Sequence, residues 1–133
     1  MSYIGFGAKG KALQAVSFLA AAFIVFMLFW GGSQPVAVGL FLAPYDKLAH
    51  LVTYAALSLA LWIGAEGKWP FLVFMLVVAV GGLDELHQIY LPGRQAGWDD
   101  FFVNALAAGV VVSLLSKNNS AFRWLAKRIT GSG

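Results

Sequence analysis

The sequence predicts an all-α integral membrane bundle of four transmembrane helices with a short C-terminal interfacial helix, forming a single domain over residues 1–133. Three observations carry this. The chain has 133 residues, of which 60% are hydrophobic and 11% charged, whereas soluble domains run about 45–50% apolar and about 25% charged. A chain this short cannot hide that excess in a soluble core, because small domains bury only about two-thirds of their unfolded surface. The charges are also confined to short stretches, with none in the 34 positions between Lys11 and Asp46. Together these exclude a soluble enzyme and a disordered regulator. There is no cysteine, which excludes a disulfide scaffold, thiolate metal sites and cysteine nucleophiles.

The first span is predicted over about 12–30. Ala15–Trp30 has Ser17 as its one polar residue, long enough to cross and too long for the apolar core of a cleaved signal, and no small-x-small site follows. Gly31-Gly32-Ser33-Gln34-Pro35 ends it. Val36–Pro44 is too apolar for a solvated loop and too short to span, so it reads as an interfacial or re-entrant segment roofing one face.

Three further uncharged runs follow: Leu48–Ala65 (18 residues), Trp69–Leu83 (15) and Phe101–Ser116 (16). At ~1.5 Å per residue they reach about 27, 23 and 24 Å, short of the ~30 Å of hydrocarbon. Each must draw in its flanks, and the flanks are acidic: Asp46, then Asp84-Glu85, then Asp99-Asp100. The second span is expected over 46–65 with Asp46 as N-cap. The third opens at Trp69-Pro70 and stops at Pro92-Gly93, and the fourth is capped by Asp99 or Asp100. Lys117–Ser120 is read as a break. Ala121–Ile129 sets Phe122, Leu125 and Ile129 opposite Arg123, Lys127 and Arg128, the pattern of a basic helix lying on an anionic leaflet.

With four spans, one side carries Lys9, Lys11, Lys68, Lys117, Arg123, Lys127 and Arg128, and the other only Lys47 and Arg94. The positive-inside rule then places both termini in the cytoplasm. Five of the six acids and both histidines fall in the outer half, Glu66 being the exception.

Helical spacing groups these polar residues. Asp46, His50, Thr53 and Tyr54 share one face of the second span, Asp84 and Gln88 stack on the third, and Asp100 and Asn104 stack on the fourth. Glu85 lies about 100° round from Asp84. Gly81-Gly82 and the face of Ala107, Ala108 and Gly109 would let the backbones approach closely. The expected result is a shallow acidic pocket among the second, third and fourth spans, with Arg94 and Lys47 at its mouth. Plainer readings exist for single members: helix caps for the aspartates, a packing role for His50, an interhelical hydrogen bond for Asn104 and an ion pair for Arg94. Two adjacent carboxylates at membrane depth resist such a reading, since intramembrane ionisable groups are functional candidates by default.

The ordered series Asp46-Lys47-x-x-His50-x-x-x-Tyr54, Asp84-Glu85-x-x-Gln88, Pro92-Gly93-Arg94 and Asp100-x-x-x-Asn104 resembles the VanZ-like family of small bacterial membrane proteins, over roughly residues 46–116. Ala107 departs from the glycine usual in that family, and Asp99 adds an acid beside Asp100. The resemblance implies a multi-pass protein of the bacterial cytoplasmic membrane with a role in resistance to teicoplanin, a lipid-bearing glycopeptide.

From the residues themselves, two classes of function stay open. In one, Asp84, Glu85 and His50 handle protons as catalytic groups on a lipid-linked or acylated substrate. Asp46, Lys47, Tyr54, Gln88, Arg94, Asp100 and Asn104 then bind it, the basic groups holding a phosphate or carboxylate. In the other, the same pocket captures a headgroup without turnover. A proton or ion conductor is disfavoured, because the spans offer no polar relay to the cytoplasm. The expected partners are membrane lipids and a lipid-linked cell-wall precursor or lipoglycopeptide, with no nucleic acid and no cofactor. No metal is assigned, since neither His-x-x-x-His nor a carboxylate-rich cation loop occurs. Oligomeric state stays open.

Overall fold

The structure is a computed structural model and describes residues 8–40 and 44–131. Residues 1–7 and 132–133, and residues 41–43 of the expected interfacial segment, lie outside the described residues. Among the described residues there are six helices and no strand: α1 (Ala8–Gly32), α2 (Pro35–Leu40), α3 (Tyr45–Gly64), α4 (Pro70–Ile89), α5 (Trp98–Lys117) and α6 (Asn119–Thr130). Four of them, α1, α3, α4 and α5, are long and apolar enough to cross a membrane. The 20 residues of each of α3, α4 and α5 rise about 30 Å, the thickness of the hydrocarbon layer. They reach that length by taking in the acidic flanks: Asp46 in α3, Asp84 and Glu85 in α4, and Asp99 and Asp100 in α5.

Several boundaries differ from expectation, each for a local reason. The first span starts at Ala8 instead of residue 12 and runs on through Gly31-Gly32. Its end is held by Ser33 Oγ and Gln34 Nε2, both donating to the Trp30 carbonyl. Asp46 is not an N-cap. Pro44 occupies that position, and Asp46 falls in the first turn, where its Oδ1 accepts the Lys47 N–H at 2.8 Å. Neither Asp99 nor Asp100 caps α5: Gly97 does, with extended backbone. Both acids sit in the first turn, where the helix dipole favours negative charge. The third span ends at Ile89, because Leu91 precedes a proline and is steered out of helical geometry. The break at 117–120 shrinks to Asn118 alone, which ends α5 and starts α6.

The chain alternates direction through α1, α3, α4 and α5. The C-terminal ends of α1 and α4 therefore share one end of the bundle with the N-terminal ends of α3 and α5. At the packed centre Tyr54, Leu57, Trp62, Val77 and Ala108 are wholly buried. The perimeter is apolar instead of polar, with Leu19, Phe71, Phe102 and Leu106 each more than 60% exposed, as suits lipid-facing positions. Gly81 is the close-approach point of α4: a Cβ there would lie 3.3 Å from Asn104 Cβ and 3.5 Å from the Tyr54 ring. Any larger side chain would push α4 off α3 and α5.

At the far end α6 folds back under the bundle. Phe122 meets the buried Trp62 edge-on at a centroid distance of 4.8 Å, and Ala126 and Thr130 are buried one and two turns on. This corrects the expected partition of that helix. Phe122 belongs to the bundle-facing row Phe122-Ala126-Thr130, and the exposed apolar row is Leu125 and Ile129, with Trp124 beside it. Arg128 stacks over Trp124 at 5.0 Å.

Candidate functional site

The polar end of the bundle is assembled by pairwise ties between helices. Tyr54, wholly buried on α3, donates its hydroxyl to Asp84 Oδ2 on α4 at 3.1 Å. His50, one turn earlier, places Nδ1 at 3.1 Å from Oδ1 of the wholly buried Asn104 on α5. The Tyr54 ring lies parallel to the imidazole, with centroids 6.1 Å apart. Lys47 Nζ bridges α3 to α5 by pairing with both Asp99 and Asp100. Glu85 Oε2 accepts the backbone N–H of Gly97, the residue that caps α5, at 3.0 Å. The carboxylate thereby supplies an acceptor at a helix start whose own residue has no side chain to do so.

The predicted residues thus converge, but the open space lies elsewhere than expected. A cavity of about 520 Å³ sits mainly between α1, α2 and α3. Its walls are apolar, built from side chains such as Phe23, Met27, Val36 and Val52, and it is open to the side, where those residues stay 41–66% exposed. Its polar end is formed by Asp46, His50 and Asp84, with Arg94 from the α4–α5 loop. Of the ten residues proposed from sequence, these four line the cavity. Tyr54, Glu85, Gln88, Asp100 and Asn104 stand behind them as buried supports. Lys47 is drawn to α5 and is not at the mouth.

Sequence reasoning missed the α1 wall, because Phe23 and Met27 in an unbroken apolar helix carry no signal that distinguishes a cavity from lipid. The α2 contribution was signalled: Val36 and Ala37 come from the segment read as a roof. Also missed was the Gly97 contact of Glu85, which depends on how the loop folds.

Several buried polar atoms at this end have no hydrogen-bond partner, among them Glu85 Oε1, Gln88 Nε2, Arg94 Nε and Asn104 Nδ2. His87, the other histidine, is turned away toward α1, its ring 5.2 Å from that of Phe29. One ring nitrogen of His50, one oxygen of Asp84 and one of Glu85 lie within 4.8 Å of one another. Chemically the arrangement offers a hydrogen-bonding and acid–base centre at one end of an open, largely apolar cleft. Comparison of the chain with family models, curated proteins and solved structures gives no match.

Proposed function

We propose that this chain is a multi-pass protein of the bacterial cytoplasmic membrane that draws an amphiphile sideways into its α1–α3 cleft. The polar part of that amphiphile meets Asp46, His50, Asp84 and Arg94. The observation that carries the reading is the match between the cavity and such a ligand: apolar walls open to the lipid side, one polar end, and a cation beside acids. An acyl chain is suited to walls like these and a phosphate or carboxylate to the Arg94 guanidinium. The resemblance of the motif series to the VanZ-like family points to a lipid-linked or acylated cell-envelope compound as the ligand, including a lipoglycopeptide of the teicoplanin type.

On this reading the seven lysines and arginines at the α6 end face the cytoplasm with both termini, and the polar cleft faces outward. His50 and Asp84, with Glu85 behind them, are the groups that would move protons on the bound compound. A second reading is favoured by the interhelical ties themselves: the same cleft holds the ligand without turnover while the polar residues lock α3, α4 and α5. Incubating the purified protein in lipid nanodiscs with a lipid-linked cell-wall precursor, and separately with teicoplanin, tests both. A mass change in the recovered compound that disappears in Asp84→Asn supports catalysis. Retention of unchanged compound selects the binding reading, and no retention of either compound contradicts the proposal.

A further inference from the structure

The two buried carboxylates of α4 raise a question the amphiphile reading leaves unanswered. Asp84 is 3% exposed and Glu85 8%, on a helix long enough to span the hydrocarbon. Among the described residues no lysine or arginine is ion-paired to either. Lys47 is committed to Asp99 and Asp100, and Arg94 shares the cleft with Asp84 without an ion pair to it. Charge held this way is costly unless something compensates it.

We propose that His50, Asp84 and Glu85 bind one divalent cation of the zinc or manganese type at the polar end of the cleft. Their donor atoms, from positions 34 and 35 residues apart on two helices, already lie within 4.8 Å of one another. A tetrahedral ion that holds nitrogen and oxygen at about 2.0–2.2 Å sets its donors roughly 3.4 Å apart. Closure therefore needs the most distant pair to approach by at most about 1.4 Å, within reach of side-chain rotation. The donor set, one imidazole with two carboxylates and no thiolate, suits these ions.

Three details point the same way. Glu85 Oε1 is buried without a partner, while its other oxygen is fixed by Gly97. Tyr54 donates to Asp84 Oδ2, which orients that carboxylate. Asn104 Oδ1 faces His50 Nδ1; with the proton on Nδ1, the Nε2 lone pair is the ligand, the usual outer support of a metal-bound histidine. Three protein ligands leave further coordination positions open, as in catalytic metal sites. Since His50 and Asp84 line the cleft, a ligand in the cleft would reach them. No local motif announces the site, because its ligands join only when α3 packs on α4.

The test uses the ions alone, with no lipid ligand, so it stands or falls separately from the amphiphile reading. Chelator-washed protein in detergent is titrated with zinc chloride and manganese chloride. Bound metal is measured by mass spectrometry after gel filtration, and melting temperature is followed in parallel. The expected result is one ion per chain and a melting temperature that rises with ion concentration. Glu85→Gln and His50→Gln each weaken binding at least about tenfold, and Asn104→Ala weakens it about 10–100-fold by freeing the imidazole. His87→Gln, whose ring packs on Phe29 of α1, and Glu66→Gln, in the turn at the other end of the bundle, leave binding unchanged. Binding well below one ion per chain, an unmoved melting temperature, or equal affinity in Glu85→Gln and the parent overturns the proposal. Should Glu85→Gln fail to fold, the parent and His50→Gln give the same decision.

Discussion

Tyr54 joins the apolar centre of the bundle to its acids, and a single substitution isolates what that contact contributes. Tyr54→Phe keeps the ring and its stacking on His50 but removes the hydroxyl from Asp84 Oδ2. An acceptor buried to 3% exposure is then left without its donor, which costs about 1–3 kcal/mol. Thermal unfolding in detergent measures this, and a melting temperature equal to the parent's contradicts it. The two partners of Lys47 make a complementary pair. Asp100 is 7% exposed, while the Asp99 side chain is 65% exposed. Asp100→Asn is therefore expected to shift stability measurably and Asp99→Asn hardly at all, because exposed ion pairs contribute little. At this scale much was legible in the sequence. Helical spacing grouped Asp46, His50, Thr53 and Tyr54, and intramembrane acidity singled out Asp84 and Glu85. Capping roles were misjudged because the residues that start α3 and α5, Pro44 and Gly97, have no side chain able to cap. The aspartates that follow are two or three residues too late.

At the scale of elements the turn between α3 and α4 is the most constrained point. Glu66 and Gly67 both adopt positive φ, at 55° and 67°. Gly67 N–H returns to the Trp62 carbonyl at 3.0 Å. A Cβ on Gly67 would lie 2.8 Å from the indole of Trp62, which is wholly buried and pinned by Phe122. Gly67→Ala therefore combines about 1–2 kcal/mol of left-handed backbone strain with a collision that cannot relax outward. Unfolding should show at least that loss, whereas Gly82→Ala, with its nearest neighbour at 3.7 Å, should cost less. The turn was visible as Gly64 and Gly67 in the sequence, but the need for a left-handed Glu66 was not. Glu66 is held there by its contacts with Lys68 and Gln14, the latter on α1, and no local pattern reports a contact 52 positions away. The same limit explains α6. Its amphipathic period was clear, yet which apolar row turned inward depended on Trp62 standing above Phe122.

Across the whole molecule, charge sorting by span was readable before any packing was known, because membrane thickness forces helices of about 20 residues wherever runs of 15 to 18 occur. All the acids but Glu66 then fall at one end and most basic residues at the other. The cavity was not readable in the same way. Periodicity tells which residues share a face but not which helix that face meets, and α1 carries no polar mark to show that it stands across from His50 and Asp84. The pocket expected among α3, α4 and α5 is filled by the ties that join them, and the open space falls on the α1 side. An orientation test follows from the sorting: a reporter fused after Thr130 should be active on the cytoplasmic side. Activity on the outer side instead would reverse the assignment of the cleft to the outer leaflet.

The central claim is that the cleft between α1 and α3 receives an amphiphile, and blocking it without touching the polar end tests this most directly. Ala49 lines the cleft on α3 beside His50, so Ala49→Trp fills space while leaving each hydrogen bond described above in place. Retention of a labelled lipid-linked cell-wall precursor by the protein in nanodiscs is the measurement, made on variants with matched melting temperature. The account predicts retention by the parent and a loss of at least about tenfold in Ala49→Trp, the order expected when a cleft contact of about 1.4 kcal/mol or more is removed. Equal retention by parent and variant would contradict it.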